Sequence, residues 1–236
     1  MPRQLARLAL APALFFLSLG AITLGQEKSV KPGINDPFKN PDIEKYAKTF
    51  EGESREVYVH RQKIVSACKL KNGMVVADVG AGTGLFTRLF APAVAPMGKV
   101  IAVDISEKFL DHISKTCQEA KITNVETLKC RETSSELPPN SVDLVFICDT
   151  YHHFEYPYRT MASIHKALKP GGRVVVIDFH RIPGKSSDWV LGHVRAGQEV
   201  VVKEIEETGF KKVHEEKDLL KENYLVIFEK VELPKK

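Results

Sequence analysis

Several side chains capable of proton transfer stand together in the stretch CDTYHHF: Asp149, Tyr151, His152 and His153. An imidazole titrates near neutrality, so either histidine suits the work of a general base. A second group, Asp178, His180 and Arg181, follows the next apolar run, and His193 and Arg195 lie further on in LGHVR. Upstream, VVADVGAGTG places Asp78 before Gly80, Gly82 and Gly84 in a G-x-G-x-G spacing, and glycine there lets a ligand lie against bare backbone. Twenty residues beyond Gly84 the run KVIAVD ends in Asp104, where a carboxylate can accept both ribose hydroxyls of an adenosine cofactor. The nicotinamide fingerprint needs its third glycine at position 85, which is Leu85, so an NAD-dependent oxidoreductase is the weaker reading of this loop.

These residues need strands that end where the chemistry starts. Short apolar runs at Met74 to Val79, Val100 to Val103, Val125 to Leu128, Val142 to Cys148 and Val174 to Phe179 read as buried strands. Helical stretches fall between them, near 84–95, 107–121 and 158–168. Alternation of this kind implies right-handed crossovers and a parallel sheet covered on both faces, hence a doubly wound α/β fold. Helix-like residues 196–208 then lead through Gly209 to Phe210 to Glu215 and Tyr224 to Phe228, joined by a turn too short for a crossover helix. That spacing predicts an antiparallel C-terminal strand pair. Apolar residues at helical spacing between Ile43 and Cys68 predict two helices ahead of the first strand.

The chain has 236 residues, 43% apolar and 27% charged, enough for one α/β domain with a full core. Its charge of +4, from 34 basic and 30 acidic residues, is dispersed, which speaks against nucleic acid as a partner. Cys68, Cys117, Cys130 and Cys148 show no metal-ligand or redox-pair spacing, so no metal centre is expected. Should the chain be exported, a disulfide becomes chemically accessible, but spacing assigns none. Arg3 and Arg7 precede an apolar run from Leu8 to Leu24, so residues 1–25 read as a signal peptide, with an uncleaved membrane anchor as the alternative. The chain is therefore expected to be exported or anchored by its N-terminus, with membrane contact confined to residues 8–24. Residues 26–41 have the Pro/Gly-punctuated character of a linker, and 42–232 form the domain.

DVGAGTG, VIAVD, LPPNSVDLVF and LKPGGRVVVIDF, in that order, resemble the successive motifs of the class I S-adenosylmethionine-dependent methyltransferases. The resemblance spans about residues 45–230 and implies a Rossmann-like, doubly wound seven-stranded sheet, mostly parallel with an antiparallel C-terminal strand, and S-adenosylmethionine as cofactor. It maps the methionine part of the cofactor onto Asp78, Gly80, Gly82 and Gly84, the ribose onto Asp104, the adenine ring onto Ile105 and the adenine amino group onto Glu132. A helix carrying Tyr46, Phe50 and Arg55 would close over the cofactor. His152, His153 and Asp149 become the catalytic candidates beside the reactive methyl.

YHHF and LGHVR further resemble a bacterial subgroup, methyltransferase-11-like, that shares the broad pattern of the ubiquinone-biosynthesis and arsenite enzymes. Only Cys148 falls near the site, which disfavours arsenite as acceptor, and no appended recognition module is evident, which favours a small molecule. Because export would separate an enzyme from the cytoplasmic cofactor pool, a non-catalytic cofactor-binding sensor or scaffold stands as the alternative.

Overall fold

In a computed structural model the described residues are 26–231. The expected leader therefore lies outside the described residues, among which no helix is long and apolar enough to cross a membrane.

The glycine loop and the histidine pair are carried by neighbouring strands of one sheet. Its seven strands are β1 (Val75–Val79), β2 (Lys99–Asp104), β3 (Val125–Lys129), β4 (Val142–Cys148), β5 (Leu168–Phe179), β6 (Phe210–Glu216) and β7 (Asn223–Lys230), in the order β3-β2-β1-β4-β5-β7-β6. The first five run parallel, β7 lies antiparallel to β5, and β6 antiparallel to β7. Strand order reverses between β1 and β4, which opens the crevice at their carboxyl ends where such sheets bind ligands. All five expected parallel strands are present. β5 also takes in LKPGG and starts six residues earlier than its apolar run suggests.

Alternate residues along each strand enter opposite cores. On one face Ala77, Val79, Val145 and Val176 pack with Met161 and Ile164 of α7 (Pro157–Ala167) and Val201 and Ile205 of α9 (Gln198–Glu206). On the other, Val76, Leu144, Phe146 and Val175 pack with Phe86 and Phe90 of α5 (Leu85–Val94) and Ile64 of α4 (Arg61–Ala67). α6 (Glu107–Glu119) sets Ile113 and Cys117 against Ala102 of β2. With both faces covered, the central strands β1, β2 and β4 are mostly apolar inside, and polar side chains reach the cavity from their carboxyl ends.

Among the described residues ahead of β1 there are four short helices rather than two: α1 (Asp36–Lys39), α2 (Ile43–Phe50), α3 (Glu56–Val59) and α4. α2 is capped by Asp42, whose carboxylate accepts from the Lys45 amide at 3.1 Å. The second expected helix is broken at His60 into α3 and α4. Residues 26–41, read from sequence as a linker, lie packed on the domain. The Val30 amide donates to the Glu155 carbonyl (2.9 Å), the Gly33 amide to the Glu155 carboxylate (3.1 Å), and the Asn35 amide group to the His153 carbonyl (3.1 Å). Ile34 and Asn35 are buried. One further helix, α8 (Asp188–His193), forms inside the insertion after β5.

Candidate functional site

A cavity of about 500 Å³, within the usual size of small-molecule sites, runs along the carboxyl ends of β1, β2 and β4. Asp78, Gly80, Gly82, Asp104, Ile105, Glu132, Asp149, His152 and His153 all line it, so every site residue proposed from sequence except Gly84 meets there. Gly84 instead forms the N-cap of α5 with φ of +81°, and a Cβ on it would stand 2.7 Å from Ile113. Its role is close packing of α5 on α6. Gly80 is glycine for another reason: a Cβ there would stand 2.1 Å from the Thr150 methyl, so the loop after β1 and the end of β4 interlock.

The cavity's adenosine end centres on Asp104. Its Oδ2 accepts from the Gly82 amide and its Oδ1 from the Ser106 amide, each at 2.9 Å. Each carboxylate oxygen has a further lone pair. Asp78, at the end of β1, accepts from the Thr87 hydroxyl at 2.6 Å. Among the described residues neither carboxylate has an ion-pair partner, and burial pushes both up to about 6. Two buried, uncompensated carboxylates flanking a glycine loop are what a ligand with a vicinal diol and a positive centre would satisfy. The cofactor implied by the sequence motifs therefore fits these residues.

The cover over this end is aromatic. Phe38, Tyr46 and Phe50 from α1 and α2 meet Phe109 of α6, with Tyr46 5.2 Å from Phe38, 5.1 Å from Phe50 and 5.7 Å from Phe109 between ring centroids. Glu51, just past α2, receives two bonds from Arg88 (2.7 and 2.8 Å) and one from the Thr83 hydroxyl (2.8 Å), which pins the cover to the glycine loop. Tyr46, Phe50 and Arg55 all line the cavity, but only the first two lie on α2; Arg55 stands beyond it, at the N-cap of α3, so no single helix carries the three.

Asp149 sits at the end of β4 with φ of +48°. Both carboxylate oxygens are engaged: Oδ2 by the Arg55 guanidinium and Oδ1 by the Asn223 side-chain amide at 2.6 Å. Burial raises its pKa, with the Arg55 charge opposing. Asp149 is held as a joint between α3, β4 and β7. Asn223 carries no motif, and only the antiparallel placement of β7 beside β5 brings it to Asp149.

Beyond Asp149 the wall is imidazole. His152 is buried, its Nδ1 bonded to Asp178 Oδ1 at 2.7 Å and its backbone amide to Asp178 Oδ2 at 2.9 Å. His153 Nε2 lies 3.3 Å from His193 Nε2, and its Nδ1 is buried with no partner among the described residues. Burial, reinforced by the neighbouring His152, holds His153 down at about 2 and His193 at about 4, so both rings are neutral at physiological pH. Trp189 stacks on His193 with centroids 4.6 Å apart.

Of the second sequence group only His193 lines the cavity. Asp178 acts through His152, His180 packs edge-on against Tyr224, and Arg181 donates to the carbonyls of Leu191 and Val194. Arg195 forms a two-armed pair with Glu204, which also accepts from Tyr151 at 3.0 Å. Phe38, Thr150 and Trp189 were not expected at the site. The four cysteines are unpaired; contrary to the expectation that only Cys148 falls near the site, Cys130 lines the cavity too, and burial raises both thiols.

The sheet order, the glycine turn after β1 and the carboxylate ending β2 define a doubly wound nucleotide-type binding fold of the S-adenosylmethionine kind. A family model described as a methyltransferase domain matches residues 77–176. A ubiquinone/menaquinone biosynthesis C-methyltransferase, UbiE, from Burkholderia vietnamiensis is 30% identical over 118 residues. That alignment covers 50% of this chain and 48% of the relative, so the match spans about half the length of both. The solved structure of a SAM-dependent methyltransferase from Aquifex aeolicus aligns at TM-score 0.72 with 26% identity, covering 81% of this chain and all of that one. The [4+2]-cyclase SpnF aligns at TM-score 0.64 with 16% identity over 74% of this chain and 81% of its own, a likeness of fold alone. Together the family-model match, the UbiE-like relatives and the Aquifex aeolicus structure support a class I S-adenosylmethionine-dependent methyltransferase.

Proposed function

We propose that the protein transfers the methyl group of S-adenosylmethionine to a small-molecule acceptor bound against the histidine wall. The observation that carries this reading is the pair Asp78 and Asp104, buried without counter-charge beside the glycine loop of the cavity that His152 also lines. The cofactor supplies an electrophilic methyl on a sulfonium, and displacement there requires alignment and dryness rather than a protein nucleophile. Asp104 accepts the ribose hydroxyls, Ile105 flanks the adenine, Glu132 meets its amino group, and Asp78 with Gly80 and Gly82 holds the methionine part. The aromatic cover excludes water.

For a hydroxyl or protonated amine acceptor, a base must take the proton. Asp149 is committed to Arg55 and Asn223, and His153 is too weakly basic at about 2. His152 suits this role, because Asp178 holds its Nδ1–H and leaves Nε2 as proton acceptor. Calorimetric titration with S-adenosylmethionine, S-adenosylhomocysteine and NAD tests the cofactor, and transfer of labelled methyl to a panel of small hydroxyl, amine and thiol compounds tests the reaction. Binding of the first two alone is expected; comparable NAD binding, or no binding at all, would overturn the reading. We also infer that residues 1–25 export or anchor the chain, checked by fractionation and sequencing of the mature N-terminus.

A further inference from the structure

We propose that His152, His153 and His193 form a binding site for one divalent transition-metal ion of the zinc class. One ring nitrogen from each lies within 4.8 Å of the others, the only such cluster of metal-binding side chains among the described residues. The sharper observation is the 3.3 Å between the Nε2 atoms of His153 and His193. Two imidazoles bound at 2.0–2.1 Å to a tetrahedral ion place their nitrogens about 3.3–3.4 Å apart, so this separation needs no rearrangement to accept one.

The third ring is prepared in the manner of metal-ligating histidines. Asp178 accepts from His152 Nδ1 at 2.7 Å, which fixes the ring and directs Nε2 away from the carboxylate. Trp189 stacked on His193 holds that ring in place, and no partner fixes the tautomer of His153. Three imidazoles without cysteine make a borderline-soft site suited to Zn²⁺, Co²⁺ or Ni²⁺ rather than Mg²⁺ or Ca²⁺. Three protein ligands also leave a fourth position open.

That open position faces the acceptor in so far as the methyltransfer reading is right, and the inference deepens that reading by making the acceptor a metal-coordinating compound with an oxygen, nitrogen or sulfur donor. With the ion bound, Nε2 of His152 is a ligand and no longer the base, and the ion instead lowers the pKa of the donor group it coordinates. A hydrogen bond between two neutral imidazoles gives the same His153–His193 distance, and titration separates the cases.

Full-length protein without an affinity tag, stripped by chelator, is titrated with Co²⁺ while visible ligand-field absorption is followed, then with Zn²⁺ in competition. One ion per chain with tetrahedral bands is expected. His193→Gln, on the short exposed helix α8, and His153→Gln should each weaken binding by about 10- to 100-fold or more. His214→Ala, at a surface position, should change nothing. No stoichiometric ion, or wild-type affinity in both glutamine variants, overturns the proposal. S-adenosylhomocysteine is titrated into the same samples. A chain that binds it but takes no ion refutes the metal site alone, whereas one that takes the ion but not the nucleoside supports the site and refutes the methyltransferase reading.

Discussion

Replacing Asp104 with asparagine removes one charge and one acceptor from the adenosine end while leaving the shape of the side chain intact. In the wild type each carboxylate oxygen accepts one backbone amide at 2.9 Å and has a lone pair for one ribose hydroxyl. The amide can serve one hydroxyl as before, but its NH2 faces a backbone donor and accepts nothing. With hydrogen bonds to charged groups contributing about 1.5–3 kcal/mol each, one lost and one weakened cost about 2–4 kcal/mol. That is about a 30- to 700-fold loss of affinity, at 1.4 kcal/mol per factor of ten.

Asp78 and Asp104 are both raised to about 6 by burial, and both must be ionised to hold the ligand. Wild-type affinity should therefore be full near pH 7.5 and fall below pH 6, approaching two decades per pH unit, while Asp104→Asn should show half that slope. The assay is calorimetric titration with S-adenosylhomocysteine from pH 5 to 7.5, with a melting curve at each pH. An asparagine variant within about threefold of wild type at pH 7.5, given unchanged melting, or a wild-type affinity flat over that range, would falsify the assignment; threefold is about 0.7 kcal/mol, below the weakest bond invoked.

Asp78→Asn mimics the protonated carboxyl. Because the folded pKa lies above the ordinary 3.8, the wild type carries a penalty that grows as pH rises from about 4 through 6, so the ligand-free variant should be more stable above pH 6 by about 3 kcal/mol and equal to wild type below pH 4 in urea unfolding. Arg55→Ala leaves Asp149 buried without its cation and should destabilise by about 3 kcal/mol, a melting decrease of about 6–12 °C; Asp149→Asn in the same chain should recover part of it. Equal melting of Arg55→Ala and wild type would show that the pair is not formed. Gly82→Arg should fill the cavity floor under Phe50 and abolish S-adenosylhomocysteine binding, with a small melting decrease from placing a side chain at φ of +54°. Gly84→Ala should do the reverse, since its Cβ meets Ile113 at 2.7 Å on the far side from the ligand.

The cofactor end was readable because its chemistry is local. A buried parallel strand is a nearly continuous apolar run, so Val75–Val79 and Lys99–Asp104 declare themselves, and the carboxylate at the far end of each, Asp78 and Asp104, marks the sheet's carboxyl edge. The acceptor end was legible only in part. His152 and His153 follow β4 directly, but His193 arrives on a six-residue helix too short for its periodicity to register, and it meets His153 from 40 residues away. Arg55, Asp149 and Asn223 come from three separate segments, which leaves no spacing to notice. A Pro/Gly-punctuated polar stretch looks the same in sequence whether it dangles or packs, and the buried Ile34 and Asn35 of residues 26–41 are too few to betray a contact surface.

Residues 26–35 give the molecule a direction. Gln26 bonds the Glu155 carbonyl at 3.1 Å, Lys31 the carbonyl of His193 at 2.5 Å, and Asn35 the carbonyl of His153. The described chain thus begins beside the imidazoles and reaches the adenosine pocket only later. A load applied at Gln26 is borne first by Glu155, which takes bonds from Gln26, Val30 and Gly33, and next by the backbone of His193 and His153, which Lys31 and Asn35 hold.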